Sequence, residues 1–200
     1  GRAMRGLGIT VDFAPVVDVT GESAAIGDRS FGDDPETVTE YAGAYARGLR
    51  DAGVLPVLKH FPGHGRASGD SHTGAVSTPP LAELQNDDLI PYRTLTAQPP
   101  VAVMVGHMQV PGLTGGEQAS LGPAAYNLLR TEFGFGGLVY TDDLSSMAAI
   151  NQQYGVAATV LKSLQAGADI ALWITTAEVP AVLDRLEQAV AAGELSQAAV

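Results

Sequence analysis

In the stretch Lys59 to Gly74, KHFPGHGRASGDSHTG, Asp70 and His72 lie two residues apart within a run rich in glycine. At that spacing a carboxylate oxygen can accept from one ring nitrogen, which fixes the tautomer and raises the basicity of the other nitrogen. A histidine held this way gives and takes a proton near neutral pH, the work of a general acid/base. The plainer alternative is an aspartate in an Asx turn beside an exposed histidine. A second competent group is the pair Asp142 and Asp143, which ends the apolar run GLVYTDD. A carboxylate at the mouth-side end of a barrel strand can act as nucleophile or electrostatic partner, whereas one at a helix start merely caps it. Lys59 and His60 close another apolar run, and Arg29 sits in IGDRSFG. Their N–H donors match the hydroxyl and amide oxygens of a polar neutral ligand; Arg29 suits a carboxylate or phosphate equally well, and competes for ion pairs with Asp28, Asp33 and Asp34. A zinc site built from His60, His64, His72 and Asp70 is disfavoured, because these residues fall on a Gly/Pro loop and the chain has no cysteine. No metal and no cofactor is expected.

Groups of this kind need rigid elements behind them. Apolar or β-branched runs recur at Ile9–Val19, Val54–Phe61, Val101–Met108, Gly137–Asp143 and Asp169–Ile174. Helical periods lie between most of them. In DPETVTEYAGAYARGLRDAG, Asp34 is placed to cap, Pro35 suits the first turn, Val38, Tyr41, Ala42, Tyr45 and Leu49 share a face, and Gly53 ends the pattern. PAAYNLLRTEF, GVAATVLKSLQAGA and VPAVLDRLEQAVAAG read the same way. Strand and helix in alternation imply parallel strands with right-handed crossovers. Asp18, Lys59, His60, His107, Asp142 and Asp143 all fall at the C-terminal ends of their runs. A closed barrel brings those ends to one mouth, whereas an open doubly wound sheet spreads several away from its crevice. A nucleotide fold would also want a G-x-G-x-x-G turn, which is absent. The expected fold is therefore an α/β (β/α)8 barrel of the TIM type, with about five strands in this chain. Residues 1–200 read as part of one catalytic barrel domain, its early strands lying upstream.

Composition narrows the partners. The 200 residues are 46% hydrophobic, enough to bury a core, and carry a formal net charge of −11 from 11 basic and 22 acidic side chains. Nucleic acid is an unsuitable partner, since phosphate binding needs clustered Lys and Arg. No run approaches the roughly 18 to 20 apolar residues of a membrane-spanning helix. Without cysteine no disulfide forms, which identifies no compartment.

The set KHFPGHG followed by DSH, with GDRSFGDDP upstream and TDDLS downstream, closely resembles glycoside hydrolase family 3, in particular its bacterial β-N-acetylglucosaminidase branch. The likeness runs from LGITVDFAPVVDV to AGADIALW, most of the chain. It implies that Asp142 is the catalytic nucleophile and His72 the acid/base with Asp70 as dyad partner. Arg29, Lys59 and His60 match positions that hold the N-acetylglucosamine ring, and Phe61 to Gly65 the turn from which the acid/base loop departs. The implied activity is exo-acting, retaining release of N-acetylglucosamine from peptidoglycan-derived muropeptides or chitooligosaccharides, through a covalent glycosyl-enzyme. Alternatives are a family 3 β-glucosidase, an N-acetylglucosaminide phosphorylase, or a non-catalytic sugar-binding barrel. The last would be expected to have lost Asp142, His72 or Asp70, and all three are present.

Two departures stand out. Arg66-Ala67 replaces a frequent Asp-Thr, and DLSSM carries one serine more than the common DLSM. The family's D-x-E-G-G segment would precede Gly1, so residues 1–200 alone are expected to be poorly soluble or inactive, with two open hydrophobic sheet edges. Members of the family occur in the cytoplasm and as exported lipoproteins, which leaves the compartment unassigned.

Overall fold

The computed structural model describes residues 1–20, 26–68, 76–145 and 155–196. Helix α1 (Arg2–Gly6) precedes β1 (Val11–Asp12), and α2 (Pro35–Arg50) crosses to β2 (Leu55–Phe61). The short α3 (Leu81–Leu84) and α4 (Ile90–Thr96) lead to β3 (Ala102–Val105). Helix α5 (Pro123–Asn127), continued by the π-helical turn Leu128–Glu132, leads to β4 (Val139–Thr141). Helices α6 (Val156–Ala166) and α7 (Val179–Ala191) follow. The strands are parallel and lie in chain order, β1-β2-β3-β4. Parallel neighbours joined one after another by helices are the repeating unit of a (β/α)8 barrel, and this chain supplies a curled part of one.

All five apolar runs take their expected places, though two pair less than their sequences suggest. Only Val11–Asp12 of the first run forms a strand, extended by a bridge between Val16 and Lys59. The fifth run lies beside β4 through one bridge, Tyr140 to Ile170, with Thr141 N–H donating to the Ile170 carbonyl and Leu144 N–H to that of Leu172. Both runs are edges of the described sheet, where hydrogen bonds come from one side only. Ile9, Phe13 and Ile174, all on these two runs, are exposed.

The two faces of the sheet separate by the strand period of two. Leu58, Val103, Val105 and Val139 pack outward against Val38, Ala42, Leu84, Tyr92 and Leu129 of the helical layer. Val57, Ala102, Met104 and Tyr140 form the inner cluster with Val11, Leu55, Ile170 and Leu172. Burial on both faces explains why β3 is a continuous apolar run instead of an alternating one.

Helix α2 begins as its sequence dictates: the Asp34 carboxylate accepts from Thr37 N–H (2.8 Å) and from the Thr37 hydroxyl (2.6 Å). Its buried face is Val38, Ala42, Gly43, Ala46 and Leu49. Tyr41 and Tyr45, expected on that face, are exposed at 58% and 46%. Successive residues turn about 100°, so Ala46 and Gly43 pull the buried arc to one side and leave both tyrosines on its flank, where Tyr41 stacks on Phe31. Among the described residues no helix is long and apolar enough to cross a membrane.

Candidate active site

The C-terminal ends of the strands carry the candidate groups. Asp142 follows β4 and, two residues beyond Tyr140, continues its inward-facing side. Asp142 N–H donates to the Val105 carbonyl (3.0 Å), which extends the β3–β4 ladder by one bond. Asp142 Oδ1 accepts from Asp143 N–H (2.9 Å), while Oδ2 faces His60 Nε2 at 3.9 Å. The Asp142 side chain is 17% exposed, so its carboxylate lies at the rim and not in the core. Burial alone would raise its pKa; the His60 and His107 rings, the Asp143 N–H and the Lys59 charge outweigh it and hold the carboxyl below its ordinary value of 3.8. It is therefore anionic at neutral pH.

His60 owes its direction to Asp18. This fully buried carboxylate accepts from His60 Nδ1 (2.7 Å), from His60 N–H (3.3 Å) and from His64 N–H (2.7 Å). One side chain thereby organises the KHFPGH turn and points the opposite ring nitrogen of His60 at Asp142. Desolvation works against the Asp18 charge, but His60 and the His64 N–H prevail and lower its pKa below 3.8. His64, ring to ring with His60 at 5.9 Å, has its pKa lowered by burial. The glycines of the turn are close-approach positions. A Cβ on Gly63, where φ is +130°, would sit 2.6 Å from Asp88 Cβ, and one on Gly65 would overlap the Val19 carbonyl oxygen.

Lys59 is half-buried, and burial lowers its pKa against the pull of Asp142, with Arg29 adding repulsion. Lys59, Arg29 and Asp142 thus share one electrostatic neighbourhood. Arg29 lies on the exposed turn Gly27–Arg29 and donates from Nε to the Ile26 carbonyl (3.1 Å). Asp34, one of its proposed ion-pair partners, is engaged as the α2 cap. Asp70 and His72 lie outside the described residues, and both ends of their segment are pinned. Ser68 N–H donates to the Ser77 carbonyl (2.8 Å) and Ser77 N–H to Ser68 Oγ (3.2 Å). Arg66, at the departure from the family pattern, grips buried Asp88 through Nε (3.0 Å) and Nη2 (2.6 Å). Among the described residues no group of three or more His, Asp or Glu side chains could hold a metal ion.

Sequence reading singled out Lys59, His60 and Asp142, and the structure brings them together. It assigned no role to Asp18 or His107, although both end apolar runs at the same rim. A carboxylate at the end of the apolar stretch FAPVV was the available signal, since such a group must find partners once buried.

The glycosyl hydrolase family 3 N terminal domain matches residues 1–200. The chain is 70% identical to the beta-hexosaminidase LpqI of Mycobacterium tuberculosis, over 100% of this chain and 53% of that protein. It superposes on the structure of a family 3 glycosyl hydrolase from Mycobacterium smegmatis with a TM-score of 0.96 and 78% identity, covering 99% of this chain and 64% of that one. On a family 3 beta-N-acetylglucosaminidase from Paenibacillus sp. the TM-score is 0.94 at 36% identity, covering 100% of this chain and 39% of the other. The chain spans about half the length of the curated relatives it matches. With a curled part-barrel of parallel β/α units and a polar rim at the strand C-termini behind these matches, the chain belongs to glycosyl hydrolase family 3.

Proposed function

We propose that the protein is a retaining exo-β-N-acetylglucosaminidase acting on peptidoglycan-derived muropeptides, with residues 1–200 forming part of its catalytic barrel. The observation that carries this reading is Asp142: an anionic carboxylate at the strand C-terminal rim, one oxygen held by a backbone N–H and the other turned to His60. The names of the relatives, beta-hexosaminidase and beta-N-acetylglucosaminidase, support the sugar.

Asp142 attacks the anomeric carbon while protonated His72, oriented by Asp70, donates its proton to the departing oxygen. The C–O bond to the aglycone breaks as the bond to the carboxylate forms. His72, now neutral, takes a proton from water, which displaces Asp142 and releases the sugar with its configuration retained. Arg29, Lys59 and His60 donate to the oxygens of the bound ring. Imidazole in place of the usual second carboxylate also lowers repulsion toward an anionic acceptor, so inorganic phosphate in place of water is a defined alternative outcome.

The test is release of p-nitrophenol from the β-N-acetylglucosaminide against the β-glucoside, with proton NMR of the first-formed anomer. Preference for the N-acetyl sugar and an initial β-anomer are expected. Preferred cleavage of the glucoside, an initial α-anomer, or phosphate-dependent sugar 1-phosphate would each replace this reading.

A further inference from the structure

His107 is the fourth histidine of the chain, fully buried behind the rim, and the chemistry above makes no use of it. Its two ring nitrogens have different partners. Nε2 lies 3.0 Å from the Asp143 carbonyl oxygen and Nδ1 lies 2.6 Å from Ser120 Oγ. A carbonyl only accepts, so Nε2 carries the hydrogen. In a neutral imidazole Nδ1 is then the acceptor, and the Ser120 hydroxyl donates to it. Burial lowers the pKa of His107, in keeping with a neutral ring. Ser120 is itself held, because its carbonyl accepts from the Tyr126 hydroxyl (2.8 Å), and Tyr126 belongs to α5. Ser120 is as deeply buried as His107, and Tyr126 is buried beside it.

This chain of bonds ends on the residue that orients Asp142. Asp143 presents its N–H to Asp142 Oδ1 and its carbonyl to His107 Nε2. On the other side, Asp142 N–H is tied to Val105, two residues before His107. The Asp142–Asp143 backbone is therefore gripped by β3 on one side and by the imidazole on the other. With Oδ1 occupied by Asp143 N–H, Oδ2 is the oxygen presented to the site.

Resting on the reading of Asp142 as nucleophile, we infer that His107 and Ser120 are positioning residues: together they lock the Asp143 peptide so that Asp142 attacks through Oδ2. An amide side chain at such a position could imitate one ring nitrogen only. The glutamine of H107Q would reach with an N–H comparable to Nε2, whereas the leucine of H107L would remove the donor while filling similar space, so these variants separate the bond from the packing.

The experiment uses the complete protein and the probe 5-fluoro-N-acetylglucosaminyl fluoride, whose fluoride leaves with little acid assistance and so reports on the nucleophile. The rate of covalent labelling is followed by intact mass and the site by peptide mapping, beside N-acetylglucosamine affinity and thermal melting. The expected result is labelling of Asp142 slowed about 10- to 100-fold in H107L, a smaller slowing in S120A, and recovery of most of the rate in H107Q. Sugar affinity should stay within about twofold across the series, a change of at most ~0.4 kcal/mol. Wild-type labelling rates in folded H107L and S120A overturn the inference, as does an H107Q as slow as H107L. If H107L fails to fold, the S120A rate decides. If the wild-type protein is labelled elsewhere than Asp142, the nucleophile assignment fails and the inference falls with it; if Asp142 is labelled at the same rate in every variant, the inference alone falls.

Discussion

The same three strands, β2, β3 and β4, end very differently at their two tips. Their C-terminal tips hold Lys59, His60, His107 and Asp142; His60 bonds buried Asp18 and faces Asp142, and His107 bonds the Asp143 carbonyl. Their N-terminal tips border a cavity of about 530 Å³ lined by Leu55, Pro99, Val101, Phe135 and Leu138. None of those residues titrates, whereas the rim gathers histidines, a lysine and carboxylates. A parallel sheet allows this division, because every strand presents its carboxyl end on the same side and each following loop is free to carry chemistry there. Residues at one end should therefore govern turnover and those at the other stability.

Substitutions at each end break or sharpen that contrast. Asp142→Ala should reduce turnover by about 10⁴-fold or more with little change in melting temperature, since it removes the proposed attacking group; retained turnover would strip Asp142 of that role. His72→Ala should cost about 10²- to 10⁴-fold, most for substrates with poor leaving groups and least for 2,4-dinitrophenyl, and an equal loss for both would argue against proton donation. Phe135→Ala, at the opposite tip and only 6% exposed, should destabilise by about 3 kcal/mol yet leave kcat per folded molecule unchanged. Asp18→Asn should do both things at once, because the amide accepts fewer of the three bonds the carboxylate now receives: a loss of about 1–3 kcal/mol and slower turnover through a misdirected His60. Asp34→Ala, at the exposed start of α2, should cost only about 1 kcal/mol, the worth of one helix cap.

Acid separates the same groups. The depressed pKa of Asp18 contributes stability that is complete above its unfolded value of 3.8 and is lost as pH falls through the lower folded value. Asp142 likewise remains a carboxylate until pH drops below 3.8. Circular dichroism of wild type and Asp18→Asn between about pH 5 and pH 2 should show a stability difference that shrinks with acidification. A difference that widens would contradict the assignment of charge to Asp18.

How much of this was readable beforehand differs from residue to residue. The capping of α2 by Asp34 is a local event, set by four consecutive residues, and its sequence sufficed. Tyr41 and Tyr45 were misplaced because periodicity defines an apolar arc but not which part of it the sheet covers. Arg66 looked only like a departure from a pattern; its partner Asp88 lies on another part of the chain, and no spacing announces that pair.

Taken alone, the amino-acid order determined the alternation of strand and helix, the parallel sheet it implies and the residue types gathered at strand ends, since all of these follow from local periodicity and short motifs. Tertiary structure decided which groups meet. It joined Asp18 to His60 across 42 positions of chain and aimed His60 at Asp142. It also laid His107 against the peptide that orients the carboxylate. Those contacts depend on strand register and the curl of the sheet, which sum many weak packing energies over the whole domain and leave no signature at any one position.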